Sequence, residues 1–280
     1  MLLLAAASIA AAKSAPAGRI ETFGFNSQFL PGQRFIRVWL PPQYDDPAFK
    51  DASFPVLYLN DGQFIFHAQA TRDLRGDWHA DDTAAKLIAE GKIEPLIIVA
   101  IDNGGPNRSR EYLPMPDKFF PSVKDPIGSR YPAMLFDEIM PFIAMKFRGR
   151  TDPPGIAIGG SSLGALIAFY AALERPGKVG KLLLESPSIW VGQGLFFDRA
   201  RTLSPLPDKV YIGIGTNEEP TNPENSRLDV DDSTKLKDSL KKAGMPANHL
   251  KLNVAPNATH TESAWAARFA DALKFLFPKN

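Results

Sequence analysis

Seven short apolar runs punctuate the chain, at residues 35–40, 56–59, 96–101, 155–158, 181–184, 210–214 and 250–254. Several are unbroken, as in PLIIVAI and KLLLES. Alternating apolar and polar residues suit a strand with one wet face, whereas unbroken runs suit strands covered on both faces. Between the runs, apolar positions recur at three- and four-residue spacing, the period of an amphipathic helix. DDTAAKLIAEGK opens on acidic residues that suit a helix start and ends near Gly91. YPAMLFDEIMPFIAMKFR has the same period, with Pro141 placed to kink or divide it. LGALIAFYAALERPG is apolar almost throughout and stops at Pro176 and Gly177. DSTKLKDSLKKAG has Asp231 to Ser233 as candidate caps and Gly244 as a stop. TESAWAARFADALKFLF supplies the last helix.

Strands alternating with helices predict an α/β fold, a mostly parallel central sheet with helices on both faces. The earliest strands precede any clear helix, which predicts an antiparallel N-terminal edge. No repeat, low-complexity stretch or Ser/Gly linker divides the chain, so residues 19–280 read as a single domain.

Composition narrows the function classes. With 280 residues, 44% of them hydrophobic, the chain can bury a large core. Its formal net charge is +1 and it has no Lys/Arg-rich run, so neither a nucleic-acid partner nor an anionic membrane is implied. It has no cysteine, which excludes disulfides, thiol catalysis and Cys-ligated metal sites. Residues 1–12, MLLLAAASIAAA, are apolar and small, with Lys13 and Ser14 following. That stretch is too short to span a bilayer and resembles the apolar region and cleavage site of a secretory signal, without the usual basic residues ahead of it. Residues 1–18 are set apart as a signal peptide or N-terminal tail. The expected location is periplasmic or secreted, otherwise cytoplasmic, with no stable membrane insertion of the mature chain.

The most informative stretch is GIAIGGSSLGALIAFYAAL. Gly160-Ser161-Ser162-Leu163-Gly164 is G-x-S-x-G between a strand pattern and a helix pattern. A serine on such a turn projects its hydroxyl above the sheet, and glycines two residues either side let strand and helix pack close. The following helix N-terminus aims backbone N–H groups at a developing oxyanion. By spacing Ser162 is the nucleophile, since Ser161 has Leu163 where the second glycine is needed. A plain Gly/Ser turn is the alternative use of the same residues.

A serine nucleophile needs a base and a group that orients the base. The histidines are His67, His79, His249 and His260. Where the chain order is Ser, acid, His, only the last two qualify. His249 precedes the final strand and so belongs at the amino ends. His260 follows it, at the carboxyl ends where open α/β sheets build their sites. The acid belongs after the KVYIGIG strand, among Glu218, Glu219, Glu224, Asp229, Asp231 and Asp232. Glu218 lies nearest the strand end, and Asp231 and Asp232 suit helix capping better than a calcium loop.

At this point the chain resembles the "Putative esterase" family of α/β-hydrolases, which includes esterase D-like, feruloyl and enterochelin esterases and mycolyl transferases. FPVLYLNDGQFIF, WHADDTAAKLIAEGKIEPLIIVAIDN, REYLP, GGSSLGALIAFYAALERPGKVGKLLLESPSIW, YIGIGTNEE and THTESAWAARFADALKFLF carry the likeness, in the family's order. It implies an α/β-hydrolase fold, Ser162 as nucleophile, Glu218 as acid with Glu219 the alternative, and His260 as base. Ala165 stands where the family often has a second glycine. The Asp61-Gly62-Gln63 turn matches the family's oxyanion-hole segment, so the backbone N–H groups of Gln63 and Leu163 are the implied donors. Arg110, Glu111 and Tyr112 match an R-x-Y segment, structural or at the pocket rim, with Arg110 a candidate substrate contact. Trp78, Trp190 and Trp265 are candidate pocket walls, Trp190 the foremost.

The implied activity is hydrolysis of a small-molecule carboxylic ester through an acyl-enzyme, with no metal or organic cofactor. Acyl transfer to an alcohol or sugar acceptor and a non-catalytic binding protein of the same fold are the alternatives. Oligomeric state is not legible.

Overall fold

A computed structural model describes residues 18–66 and 77–279. The signal segment expected at residues 1–18 lies outside the described residues apart from Gly18, and so does His67.

Eight strands form one sheet: β1 (Arg19–Asn26), β2 (Gln33–Leu40), β3 (Val56–Asn60), β4 (Ile97–Ile101), β5 (Ile156–Ser161), β6 (Lys181–Glu185), β7 (Lys209–Gly215) and β8 (Leu250–Ala255). Their order is β1-β2-β4-β3-β5-β6-β7-β8. The pairs β1–β2 and β2–β4 are antiparallel, and every later pair is parallel. This is the α/β-hydrolase type of fold, with the antiparallel edge at the N-terminus.

The helices are α1 (Ala80–Ala89), α2 (Arg108–Tyr112), α3 (Tyr131–Ala133), α4 (Met140–Lys146), α5 (Leu163–Glu174), α6 (Leu195–Arg201), α7 (Pro223–Lys242) and α8 (Glu262–Leu276). Side-chain alternation along the strands divides the core. Val56, Tyr58, Val99, Ile158 and Leu184 pack on one face beneath α5. Leu57, Leu59, Ile98, Ala157 and Leu183 pack on the other, beneath α1 and α8. Burial on both faces is the physical reason these strands are unbroken apolar runs.

The path of the chain places the site. From β3 it crosses through α1 to β4 on one side, then returns to β5 on the other side of β3. The connections therefore diverge at the carboxyl ends of β3 and β5, which opens a crevice there.

Three elements differ from the sequence reading. β1 was not among the apolar runs. Its Ile20, Phe23 and Phe25 break the two-residue period, because it is a half-exposed edge strand paired only with β2. The segment at 131–146 is one continuous rod, α3 and α4 joined by a π-helical turn at Met134–Ile139. Pro141 lacks an N–H and its ring crowds the preceding turn, and the wider π-turn accommodates both effects. α7 starts at Pro223 with Asn222 as its cap, so Asp231 and Asp232 are not caps. They sit mid-helix, paired with Arg227 and Lys235. The first two turns of α7 are polar and stabilised by such one-turn ion pairs, so they carry no apolar period to read.

Candidate active site

Ser162 caps α5 with φ 56° and ψ −127°, a conformation costly for a non-glycine residue. Its N–H donates to Glu185 O at 2.9 Å, and its carbonyl accepts from Ala165, Leu166 and Ser188 N–H. Both flanking glycines are needed. A Cβ at Gly164 would lie 2.7 Å from Asp61 Oδ2, and one at Gly160 would lie 3.0 Å from Asn60 Cβ. The hydroxyl therefore stands at the carboxyl end of β5, half-buried, with Ser188 Oγ at 3.4 Å.

The loops after β7 and β8 are stitched together by backbone hydrogen bonds. Asn217 N–H donates to Ala258 O at 3.0 Å and His260 N–H to Glu218 O at 3.3 Å. That stitching sets Glu218 Oε2 2.6 Å from His260 Nδ1. Glu218 Oε1 accepts from Gly215 N–H at 2.6 Å and from Ser186 Oγ at 2.8 Å. Its side chain is fully buried. Burial opposes its charge, but the hydrogen bond and charge of His260, with the Gly215 and Ser186 donors, hold its carboxyl below the ordinary range. Glu219, one residue on, is exposed and accepts from Asn225 Nδ2 instead.

Across the crevice, Asp61 occupies the left-handed region at φ 58°. Arg108 grips its carboxylate with both Nε at 2.7 Å and Nη2 at 2.8 Å, Asn103 Nδ2 adds a third bond at 2.5 Å, and Tyr112 Oη accepts its N–H at 3.4 Å. This clamp fixes the turn that carries Gln63. Among the described residues, neither Gln63 N–H nor Leu163 N–H finds an acceptor in the protein. Two unspent donors on turns after β3 and β5 are suited to a developing negative charge.

A cavity of about 200 Å³ gathers Ser162, His260, Asp61, Phe64, Trp78, Arg108, Glu262 and Trp265. Ser162 and His260 line it together, but the Ser162 hydroxyl is hydrogen-bonded to Ser188 and not to His260. Arg110 is elsewhere: half-exposed, it clasps Asp125 through Nε and Nη2. Arg108, two residues earlier on α2, takes the place expected of it in the cavity wall. Trp190 is also outside. It stacks on Phe120 at 5.9 Å and lines a neighbouring groove with Phe119, Glu219 and Asp229. Trp78 and Trp265 are the tryptophans of the cavity itself. Glu111 is buried with Arg34 at 3.0 Å, and Tyr112 is buried beneath Asp61, both structural. His249 precedes β8, and His79 caps α1 beside Asp77 and Asp82. The Asp61 clamp and Ser186 were not read from the sequence. The only local signal was a polar cluster, Asn103 to Arg110, immediately after β4.

Comparison with known proteins agrees with this architecture. The profile of the family described as "Putative esterase" matches residues 27–276. An uncharacterised protein of Bacillus subtilis, YbbA, is 25% identical over 262 residues, covering 92% of this chain and 98% of that protein. The iron(III) enterobactin esterase of Dickeya dadantii is 30% identical over 198 residues, 68% of this chain but only 38% of its own length. Among solved structures, the BES protein of Bacillus cereus superposes with a TM-score of 0.71 at 17% identity, covering 98% of this chain and 99% of that one, and so shares the fold. With the profile spanning nearly the whole described chain, the protein belongs to the Putative esterase family and is a carboxylic ester hydrolase.

Proposed function

We propose that the protein is a serine esterase acting through Ser162, His260 and Glu218 by way of an acyl-enzyme. The observation that carries this reading is the Glu218–His260 bond of 2.6 Å facing the cavity that holds the strained Ser162. In the reaction the Ser162 hydroxyl leaves Ser188 for His260 Nε2, which takes the proton as Oγ attacks the ester carbonyl carbon. Gln63 and Leu163 N–H receive the oxyanion. Glu218, ionised and held on three sides, keeps the His260 proton on Nδ1 and stabilises the imidazolium. His260 returns the proton to the departing alkoxide oxygen as the C–O bond breaks. Water, deprotonated by the same imidazole, then attacks the acyl carbon; the bond to Ser162 Oγ breaks, His260 returns the proton to that oxygen, and the acid leaves.

The substrate class is a small-molecule carboxylic ester, a reading supported by the enterobactin esterase among the relatives. Phe64, Trp78 and Trp265 give the cavity aromatic lining, and Arg108 and Glu262 give it charged groups. The test is steady-state hydrolysis of an ester panel with and without an added alcohol acceptor. Ser162→Ala is expected to lower kcat by about 10⁴–10⁶. Near-normal hydrolysis by that variant would refute the assignment, and product formed only with the acceptor would make the enzyme an acyltransferase.

A further inference from the structure

Behind Glu218 lies a chain of hydrogen bonds that the proposed mechanism does not use. Trp265 Nε1–H donates to Ser186 Oγ at 2.9 Å, and Arg268 Nη2 approaches the same oxygen at 3.4 Å. Indole and guanidinium nitrogens only donate. The Ser186 oxygen is therefore an acceptor on that side, and its single proton points to Glu218 Oε1 at 2.8 Å. The direction of the chain is fixed by chemistry: indole to hydroxyl, hydroxyl to carboxylate, carboxylate to imidazole. Ser186 holds this place with φ 41°, a left-handed backbone that costs a serine energy, pinned by its N–H to Gly213 O at 2.7 Å. The indole also meets His260 edge to face, with ring centroids 5.1 Å apart. One side chain thus packs against the imidazole and, through Ser186, addresses the carboxylate that orients it.

We infer that Ser186 and Trp265 are positioning residues that act on His260 through Glu218, Trp265 by directing the Ser186 proton and Ser186 by stabilising and orienting the carboxylate. This rests on the serine-esterase reading. Among the described residues, the other charged groups facing Glu218 are the Glu185–Arg268 pair behind Ser186 and Asp229 from α7. Burial pushes the Glu185 carboxyl up to about 7 and the Asp229 carboxyl up to about 6, so the chain acts against their negative field where they are ionised, and on the same side as Arg268.

The sign of the effect follows. The Ser186 proton stabilises the Glu218–His260 pair most when the pair is net anionic, before it takes up a proton. Removing it favours protonation, so the acid limb of the kcat/KM profile moves to higher pH.

The experiment compares pH profiles of wild type, Ser186→Ala, Trp265→Phe and the double variant on one neutral ester, with Ser162→Ala as control. Ser186 also fixes the direction of the Glu218 carboxylate, and the misplaced imidazole left by Ser186→Ala predicts a fall in kcat of about 10–100-fold. The acid limb is expected to rise by about one pH unit. Trp265→Phe is expected to shift the limb the same way by less, and to add nothing in the Ser186→Ala background, since it acts through that hydroxyl. An unmoved limb in a folded Ser186→Ala protein overturns the inference, and so do fully additive shifts. Should Ser186→Ala fail to fold, the limb of Trp265→Phe decides in the same way. Undiminished hydrolysis by Ser162→Ala would instead overturn the serine-esterase reading itself.

Discussion

Replacing Glu218 by Gln conserves shape and removes only the charge and one acceptor edge. The structure determines how that glutamine must sit. Gly215 N–H and Ser186 Oγ both donate to the Oε1 position, at 2.6 and 2.8 Å, and the Ser186 proton is held in that direction by Trp265. A backbone N–H cannot reverse its role, so the amide oxygen takes the Oε1 position and the NH₂ group faces His260 Nδ1. The imidazole must then accept at Nδ1 and carry its proton on Nε2, the tautomer that cannot take a proton from Ser162. A wrong tautomer at an otherwise intact site costs about 10⁴ in kcat, or about 5 kcal/mol of transition-state stabilisation. The matching change Glu219→Gln touches an exposed side chain bonded to Asn225 and is expected to leave kcat within about twofold, as for most surface substitutions. Steady-state kinetics of both variants, with circular dichroism confirming the fold, is the assay. A Glu218→Gln enzyme keeping more than about a tenth of wild-type kcat would refute the tautomer reasoning, as would a larger loss in Glu219→Gln.

Two further outcomes are expected. Burial first, then the charges of Glu218 and other neighbours, push the Asp229 carboxyl up to about 6, so above that pH it is anionic and favours the protonated imidazole nearby. Asp229→Asn removes that support and should move the acid limb of kcat/KM to lower pH by about half a unit, opposite in sign to Ser186→Ala; a shift upward contradicts this. Glu111→Gln leaves the buried Arg34 guanidinium without its counter-charge, and urea denaturation should show a loss of about 3–5 kcal/mol at unchanged m value; a loss below about 1 kcal/mol would show that the pair is not structural in the sense argued.

The parallel strands were legible because burial on both faces makes them unbroken apolar runs. β1 was not, because a half-exposed edge strand needs neither continuity nor strict alternation. The start of α7 was hidden by its polarity, since its first turns are stabilised by ion pairs such as Arg227 with Glu224 and Asp231. The glycine-flanked turn at Ser162 and the position of His260 after β8 follow from local pattern and chain order. The separation of Glu218 from Glu219 does not. Adjacent carboxylates look alike in a sequence, and only the pairing of the β7 and β8 loops turns one inward. The tryptophans illustrate the same limit: Trp190 follows a strand as a pocket residue might, yet Trp78 and Trp265, far apart in the sequence, meet at 6.2 Å in the cavity. Arg108 rather than Arg110 reaches that cavity because α2 turns the two side chains to different sides.

The most direct measurement of the central claim is to label the protein with a fluorophosphonate ester and locate the adduct by peptide mass mapping. A single adduct on Ser162, absent from Ser162→Ala and strongly slowed in Glu218→Gln and in a His260→Ala variant, is the predicted result. An adduct on Ser161 or Ser188, or labelling of Ser162→Ala at the wild-type rate, would contradict it.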